Sequence, residues 1–133
     1  RYSPSHCWLA RSPEGWWRVG FTKFALRMLG ELVDVQFDRT EGAAIQPGDI
    51  LGTIEGFKAV SDLFCVGTGM FRGGNPVLKT DLEILAREPY SGGWLYQFEG
   101  QPDARCLDVE GYRGLLDVTI DRILAKQQAE EHR

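Results

Sequence analysis

Glu55-Gly56-Phe57-Lys58-Ala59-Val60-Ser61-Asp62-Leu63 sets one lysine between two short apolar runs. On its N-terminal side, Asp49-Ile50-Leu51-Gly52-Thr53-Ile54-Glu55 is rich in β-branched and apolar residues. On the other, Leu63-Phe64-Cys65-Val66 resumes that character before Gly67 and Gly69 interrupt it. The stretch reads as strand, exposed turn, strand. A hairpin tip lifts a side chain clear of the surface, where a modifying enzyme can reach it. Four lysines (Lys23, Lys58, Lys79, Lys126) stand against eleven arginines, so Lys58 is not one of many interchangeable charges. An arginine could not do the same work, because its guanidinium stays protonated, whereas a lysine amine can be acylated. On the turn alone, the competing reading is a plain solvated charge.

Working outward, Ile45-Gln46-Pro47-Gly48-Asp49-Ile50-Leu51 precedes the hairpin and Val66-Gly67-Thr68-Gly69-Met70-Phe71 follows it. Each reads as a glycine turn between apolar pairs, so two similar half-motifs flank the lysine. Upstream, Ser5 to Val19 reads as a hairpin turning at Ser12-Pro13-Glu14-Gly15, with Trp8, Trp16 and Trp17 expected to pack across it. Thr22 to Leu29 changes period to three and four residues, with Thr22 placed to cap a short helix and Gly30 to end it. Leu32 to Phe37 reads as a half-buried strand and Asp38 to Ala44 as a loop. Gly73-Gly74-Asn75-Pro76 reads as a turn, Lys79 to Ala86 as a second short helix, and Trp94 to Phe98 as a strand. A helix is expected from about Asp108 to Lys126. On it Tyr112, Leu115, Leu116, Thr119, Ile120, Ile123 and Leu124 share one face, expected to pack on the chain's own domain.

At 133 residues the chain is expected to form one domain, 1–133, able to bury most of its apolar surface without disulfides. No apolar run approaches the roughly 20 residues a membrane span requires. A net charge of −4 and a pI near 5.2 argue against nucleic acid, which calls for a basic stripe. Cys7, Cys65 and Cys106 are odd in number and without a C-x-x-C spacing, which fits a reducing compartment such as the cytoplasm, or an organelle matrix if a transit peptide is removed. The two histidines, His6 and His132, lie at opposite ends, against a preassembled metal site.

The residues in order resemble one family closely. They are Arg1 to His6 with Trp8, Val19-Gly20, Thr22, Ala25, Leu29-Gly30, Val33 and Val35; then Gly48, Gly52, Glu55, Lys58-Ala59, Ser61-Asp62-Leu63 and Gly69; then Asn75, Leu78, Pro89-Tyr90, Gly93-Trp94-Leu95 and Tyr112. Together, with a one-residue insertion near Gly42, they resemble the H-protein of the glycine cleavage system, a lipoyl carrier. The resemblance implies a mostly β (α+β minor) lipoyl/biotinyl-type barrel-sandwich hybrid with short flanking helices and a C-terminal helix. It implies lipoic acid in amide linkage on Lys58, attached by a lipoate ligase or lipoyl transferase. It further implies a monomeric, non-catalytic carrier of an aminomethyl group, working with glycine decarboxylase, aminomethyltransferase and dihydrolipoamide dehydrogenase.

Glu55 matches a family glutamate, part of what the lipoylating enzyme would read, and Asp62 matches an aspartate near the arm, where it could pair with the ammonium of a loaded lipoamide. The family has His-Glu-Trp where this chain has His6-Cys7-Trp8. The change removes a counter-charge and sets a thiol near the arm, unless Cys7 is simply a small buried hydrophobe. A reactive Cys7 would be expected to form a mixed disulfide with a lipoyl sulfur. Gly56-Phe57 replaces a small-polar and aliphatic pair, and Cys65-Val66 replaces a serine and proline. These departures leave two alternatives open: an H-protein-like carrier serving sulfur-oxidation enzymes of the heterodisulfide-reductase-like type, or a non-lipoylated relative. A thiol enzyme pairing Cys7 with His6 is weak, because neighbours on a strand point to opposite faces.

Overall fold

The structure is a computed structural model and describes residues 1–131; His132 lies outside the described residues. The strands are β1 (Cys7–Arg11), β2 (Trp17–Phe21), β3 (Leu32–Phe37), β4 (Ala44–Ile45), β5 (Ile50–Gly56), β6 (Val60–Phe64), β7 (Gly67–Gly74) and β8 (Tyr96–Pro102). They form two antiparallel sheets, ordered β1-β2-β8-β7-β4 and β3-β5-β6. The inward faces meet in an aromatic cluster. Phe37 of the smaller sheet lies 5.9 Å from Phe71 and 6.4 Å from Tyr96 of the larger one, ring centre to ring centre. Both Phe71 and Tyr96 are almost wholly buried, each worth about 2 kcal/mol of transfer free energy. The Tyr96 hydroxyl donates to the Phe64 carbonyl at 3.0 Å, so this core residue also ties β8 to the end of β6.

Helix α1 (Lys23–Leu29) begins where Thr22 accepts a hydrogen bond from the Ala25 amide, and it ends at Gly30, whose φ of 76° suits a residue without Cβ. The second helix expected over Lys79 to Ala86 is instead a 3-10 turn (Pro76–Lys79) and a single α turn, α2 (Ile84–Arg87). Asn75 caps the 3-10 turn through its side-chain oxygen, and Pro76 follows it, so the coil starts earlier and closes before Asp81. The strand expected from Trp94 starts at Tyr96 and runs on to Pro102 along β7.

The second half-motif is corrected. Gly48, at φ 88°, does sit in a turn. Gly67 and Gly69 instead lie inside β7, where a Cβ on Gly67 would meet the Phe98 ring at 2.3 Å and one on Gly69 the Glu99 carbonyl oxygen at 1.9 Å. Those glycines serve close approach of β7 to β8.

Trp8 and Trp17 pack across the first hairpin as expected, each on its cross-strand partner, whereas Trp16 does not. Trp8 lies over Gly20 and donates from Nε1 to the Pro89 carbonyl at 2.6 Å, whereas Trp16 reaches Glu99 and Arg72. Trp17 packs against the core with the Arg11 guanidinium over its ring.

Helix α3 (Val109–Glu131) exceeds the expected span, and Tyr112 is its one buried residue among those described. Val118, Ile120 and Leu124 are exposed, so the expected packing of the stripe on its own domain holds only at the first turns. Tyr112 anchors α3 by stacking on Tyr2, with its hydroxyl 2.8 Å from His6 Nδ1 and 3.0 Å from Thr22 Oγ1.

Burial holds the His6 pKa below its ordinary 6.5. The unfolded chain therefore takes up a proton that the folded one resists, so stability is full above about pH 6.5 and falls as pH drops toward the folded value. Thermal denaturation from pH 7.5 to 5 should show a decline that His6→Asn flattens. Asparagine tolerates the positive φ of 66° at this position.

Candidate functional site

Strands β5 and β6 pair with Glu55 opposite Val60, leaving Phe57, Lys58 and Ala59 as the tip. Carbonyls at the end of α1 hold this tip. The Lys58 amide donates to Leu29 O at 2.9 Å, the Phe57 amide donates to Glu31 O at 2.9 Å, and Gly56 closes the turn by donating to Ala59 O. A Cβ on Gly30 would lie 2.8 Å from Lys58 Cγ, and one on Gly56 would lie 2.2 Å from Leu29 O. Two glycines therefore let hairpin and helix end close on each other, with the lysine stem lying across Gly30. Lys58 is exposed, and its amine makes no ion pair among the described residues. Phe57 beside it is 77% exposed.

The other residues singled out from the sequence divide between two places. Glu55 pairs across the sheet with Val60 on β6 and Asp34 on β3, and Asp62 pairs with Thr53. The alternation of strands puts Asp34, Glu55 and Asp62 on the outer face of the smaller sheet. Asp62 also borders a small cavity of about 100 Å³, shared with Ser5, Cys7, Ser61 and Phe64. Lys58 lines a separate, open groove of about 420 Å³ with Lys23, Leu26, Arg27, Gly30, Glu31 and Ala86. Another cavity, of about 520 Å³, lies between Asp34, Phe37, Arg39 and the segment Asn75 to Lys79, and does not include Lys58. The groove is the candidate site because it contains the exposed amine of Lys58.

Sequence reasoning missed the Leu29-Gly30-Glu31 latch and the two α1 cations of the groove. Gly30 carried the available signal, as a cap glycine, but nothing local tells which segment its bare Cα will meet.

Cys7 is buried, and burial pushes its thiol up to about 12, against the smaller opposing effect of Ser3 and Ser5. A thiol held neutral is a poor nucleophile. Alkylation by iodoacetamide near pH 7.5 should modify Cys7 far more slowly than a free thiol, and Cys7→Ser should leave the non-reducing mass pattern of lipoylated protein unchanged. A mixed disulfide lost in that variant would show the thiol to be reactive.

An exposed amine on a rigid three-residue turn, with its stem in a cradle that any Cβ at Gly30 would fill, is suited to carrying an acyl group presented to other proteins. Comparison with known proteins gives the family. Residues 1–110 match the family model described as glycine cleavage H-protein. The glycine cleavage system H proteins of Shigella dysenteriae serotype 1 (strain Sd197) and Escherichia coli O9:H4 (strain HS) are each 32% identical over 120 residues, covering 88% of this chain and 92% of theirs. The crystal structure of a glycine cleavage system H protein from Mycobacterium marinum superposes with a TM-score of 0.75 at 33% identity, over 85% of this chain and 92% of that one. The two sheets are thus a lipoyl-type barrel-sandwich, and the chain belongs to the glycine cleavage H-protein family.

Proposed function

We propose that Lys58 is the residue on which this chain carries lipoic acid. The family is one of non-catalytic lipoyl carriers of the glycine cleavage system, with the cofactor joined covalently to a lysine. What supports Lys58 is the latch at the hairpin tip. Two backbone hydrogen bonds to Leu29 and Glu31 fix the turn while the amine stays free in solvent. No second lysine sits in such a tip: Lys23 and Lys79 lie on helical turns, and Lys126 lies on α3.

Lipoic acid, once attached, supplies a disulfide that can take up and hand on a carbon unit and be reoxidised. The chain's own residues do the rest. The Leu29-Gly30-Glu31 latch orients the lysine and gives incoming enzymes a defined surface, so the attached group is searched for over a small volume. Glu55, at the end of β5, is a fixed carboxylate that the lipoylating enzyme reads. Asp62 offers a carboxylate to a cation arriving at the small cavity, and Cys7 forms a neutral, unreactive part of that cavity's wall. The carrier acts as a single, monomeric domain in the cytoplasm. It receives its cofactor from a lipoate ligase or lipoyl transferase and carries the lipoamide-bound intermediate among glycine decarboxylase, aminomethyltransferase and dihydrolipoamide dehydrogenase. The comparisons name glycine cleavage relatives, and the sulfur-oxidation alternative is not favoured.

The test is peptide mapping by tandem mass spectrometry after incubation with lipoate, nucleotide and a lipoate ligase. The lipoyl increment should fall on the peptide containing Lys58 and on no peptide containing Lys23, Lys79 or Lys126. An increment on any of those three instead would overturn the assignment.

A further inference from the structure

Lys58 is not the only cation in its groove. Lys23 and Arg27, four residues apart on α1, line the same space. Both are exposed, and neither makes an ion pair among the described residues. Local folding favours Arg27, a cation in the last turn of α1, but gives no such reason for Lys23. Like charges at this spacing repel across one helical turn, and a cation at the first residue of a helix opposes the positive end of its dipole. The chain as a whole is net negative, at −4. Leu26 and Ala86 add apolar surface to the groove, and both, with Glu31, also line an adjoining cavity of about 190 Å³ that Leu32 and Glu83 complete. The groove therefore holds three cations against the one carboxylate of Glu31, and Glu83 adds a second carboxylate only in the adjoining cavity. On the outer sheet face, Asp34 stands directly opposite Glu55, a second pair of like charges that costs stability.

We propose that Lys23, Arg27 and the Lys58 ammonium form a docking seat for an acidic surface element of the enzyme that acylates Lys58, an apolar side chain of that element resting on Leu26 and Ala86. The inference rests on Lys58 being the acylated residue. The carboxylates of the outer sheet face repel the same element, so it can settle only on the α1 side of the hairpin.

The choice of occupant follows from charge. In acylation the Lys58 nitrogen, freed of its proton, attacks the carboxyl carbon of a lipoyl adenylate. The C–N bond forms, the C–O bond to phosphate breaks, AMP leaves, and the ammonium's surplus protons pass to solvent. The product is a neutral amide, so the seat falls from three positive charges to two. An acidic partner then binds the unmodified chain more tightly than the modified one. That order suits the acylating enzyme, which must take the bare chain and release the loaded one, and it disfavours enzymes that service the loaded arm.

The experiment measures lipoylation by the source organism's lipoate ligase, with lipoate and ATP, at about 0.03 M and about 0.3 M salt, where screening changes from long-ranged to short-ranged. It compares wild type, Lys23→Glu/Arg27→Glu and Lys58→Arg, and reads ligase affinity for wild type before and after loading. Melting temperatures confirm that the exposed substitutions leave the fold intact. The double reversal should raise KM roughly tenfold at low salt with kcat within about twofold, the rise shrinking to about threefold or less at high salt. Loaded wild type should bind the ligase several-fold more weakly than unloaded. A KM unchanged by the double reversal, or a loss confined to kcat, overturns the docking seat while leaving Lys58 as the acceptor. Loading of Lys58→Arg overturns the acceptor assignment, and this inference with it.

Discussion

The Lys58→Arg protein is expected to take up no lipoyl group at all while melting at the temperature of the wild type. Loss should be complete because the guanidinium keeps its proton at any workable pH and has no free lone pair to attack an activated carboxyl. Stability should change by less than about 0.5 kcal/mol, the usual range for an exposed position free of special contacts. The Lys58 amine has no ion-pair partner among the described residues, and the hydrogen bonds that hold the tip come from backbone amides, which arginine keeps. The arginine stem can also lie over Gly30 as the lysine stem does. Intact mass after incubation with ligase, lipoate and nucleotide checks the first half, and a thermal melt the second. Residual loading would mean that another lysine is acylated, and a large drop in melting temperature would mean that the amine has a structural role that the geometry does not show.

How far such a site could be read from sequence depends on whether its signals are local. The hairpin around Lys58 was legible because two short runs of strand character flank a break at Gly56 and Lys58, and α1 was legible because Thr22 and Gly30 punctuate it at both ends. Glycines in β7 were misread because a bare Cα serves two purposes, a turn or close approach of another chain segment, and Gly67 and Gly69 are explained only by Phe98 and Glu99 some thirty residues away. The latch was illegible for a similar reason. Its acceptors are the carbonyls of Leu29 and Glu31, which every residue possesses, so no side-chain pattern announces them. The separation of Cys7 and Asp62 from the groove of Lys58 was hidden too, since it depends on which side of the hairpin α1 closes. In α3 the apolar stripe was visible, but periodicity says which residues share a face and not whether anything covers it.

Gly56→Ala should slow loading by at least about tenfold, although the position carries no functional group. An added Cβ would lie 2.2 Å from the Leu29 carbonyl oxygen and 2.9 Å from its carbon, and both are backbone atoms that cannot swing aside. The hairpin tip must therefore move away from the end of α1. That movement stretches the bonds from the Lys58 amide to Leu29 and from the Phe57 amide to Glu31, which are the two that fix the tip. Two weakened backbone hydrogen bonds and the steric shift together should cost about 2–4 kcal/mol, seen in chemical denaturation as a lower midpoint with an unchanged slope. Misplacement of a reacting group by about 1 Å can cost a reaction as much as a hundredfold, so the loss of rate should exceed anything the modest loss of folded protein explains. Gly15→Ala supplies the control. It also adds a Cβ to a hairpin glycine, here at a positive φ of 85° but in open space within the first hairpin, so it should cost about 1 kcal/mol and leave loading unchanged. Equal loading rates for Gly56→Ala and Gly15→Ala would show that the latch contributes nothing to presenting Lys58, and that an exposed amine on any mobile loop would serve as well.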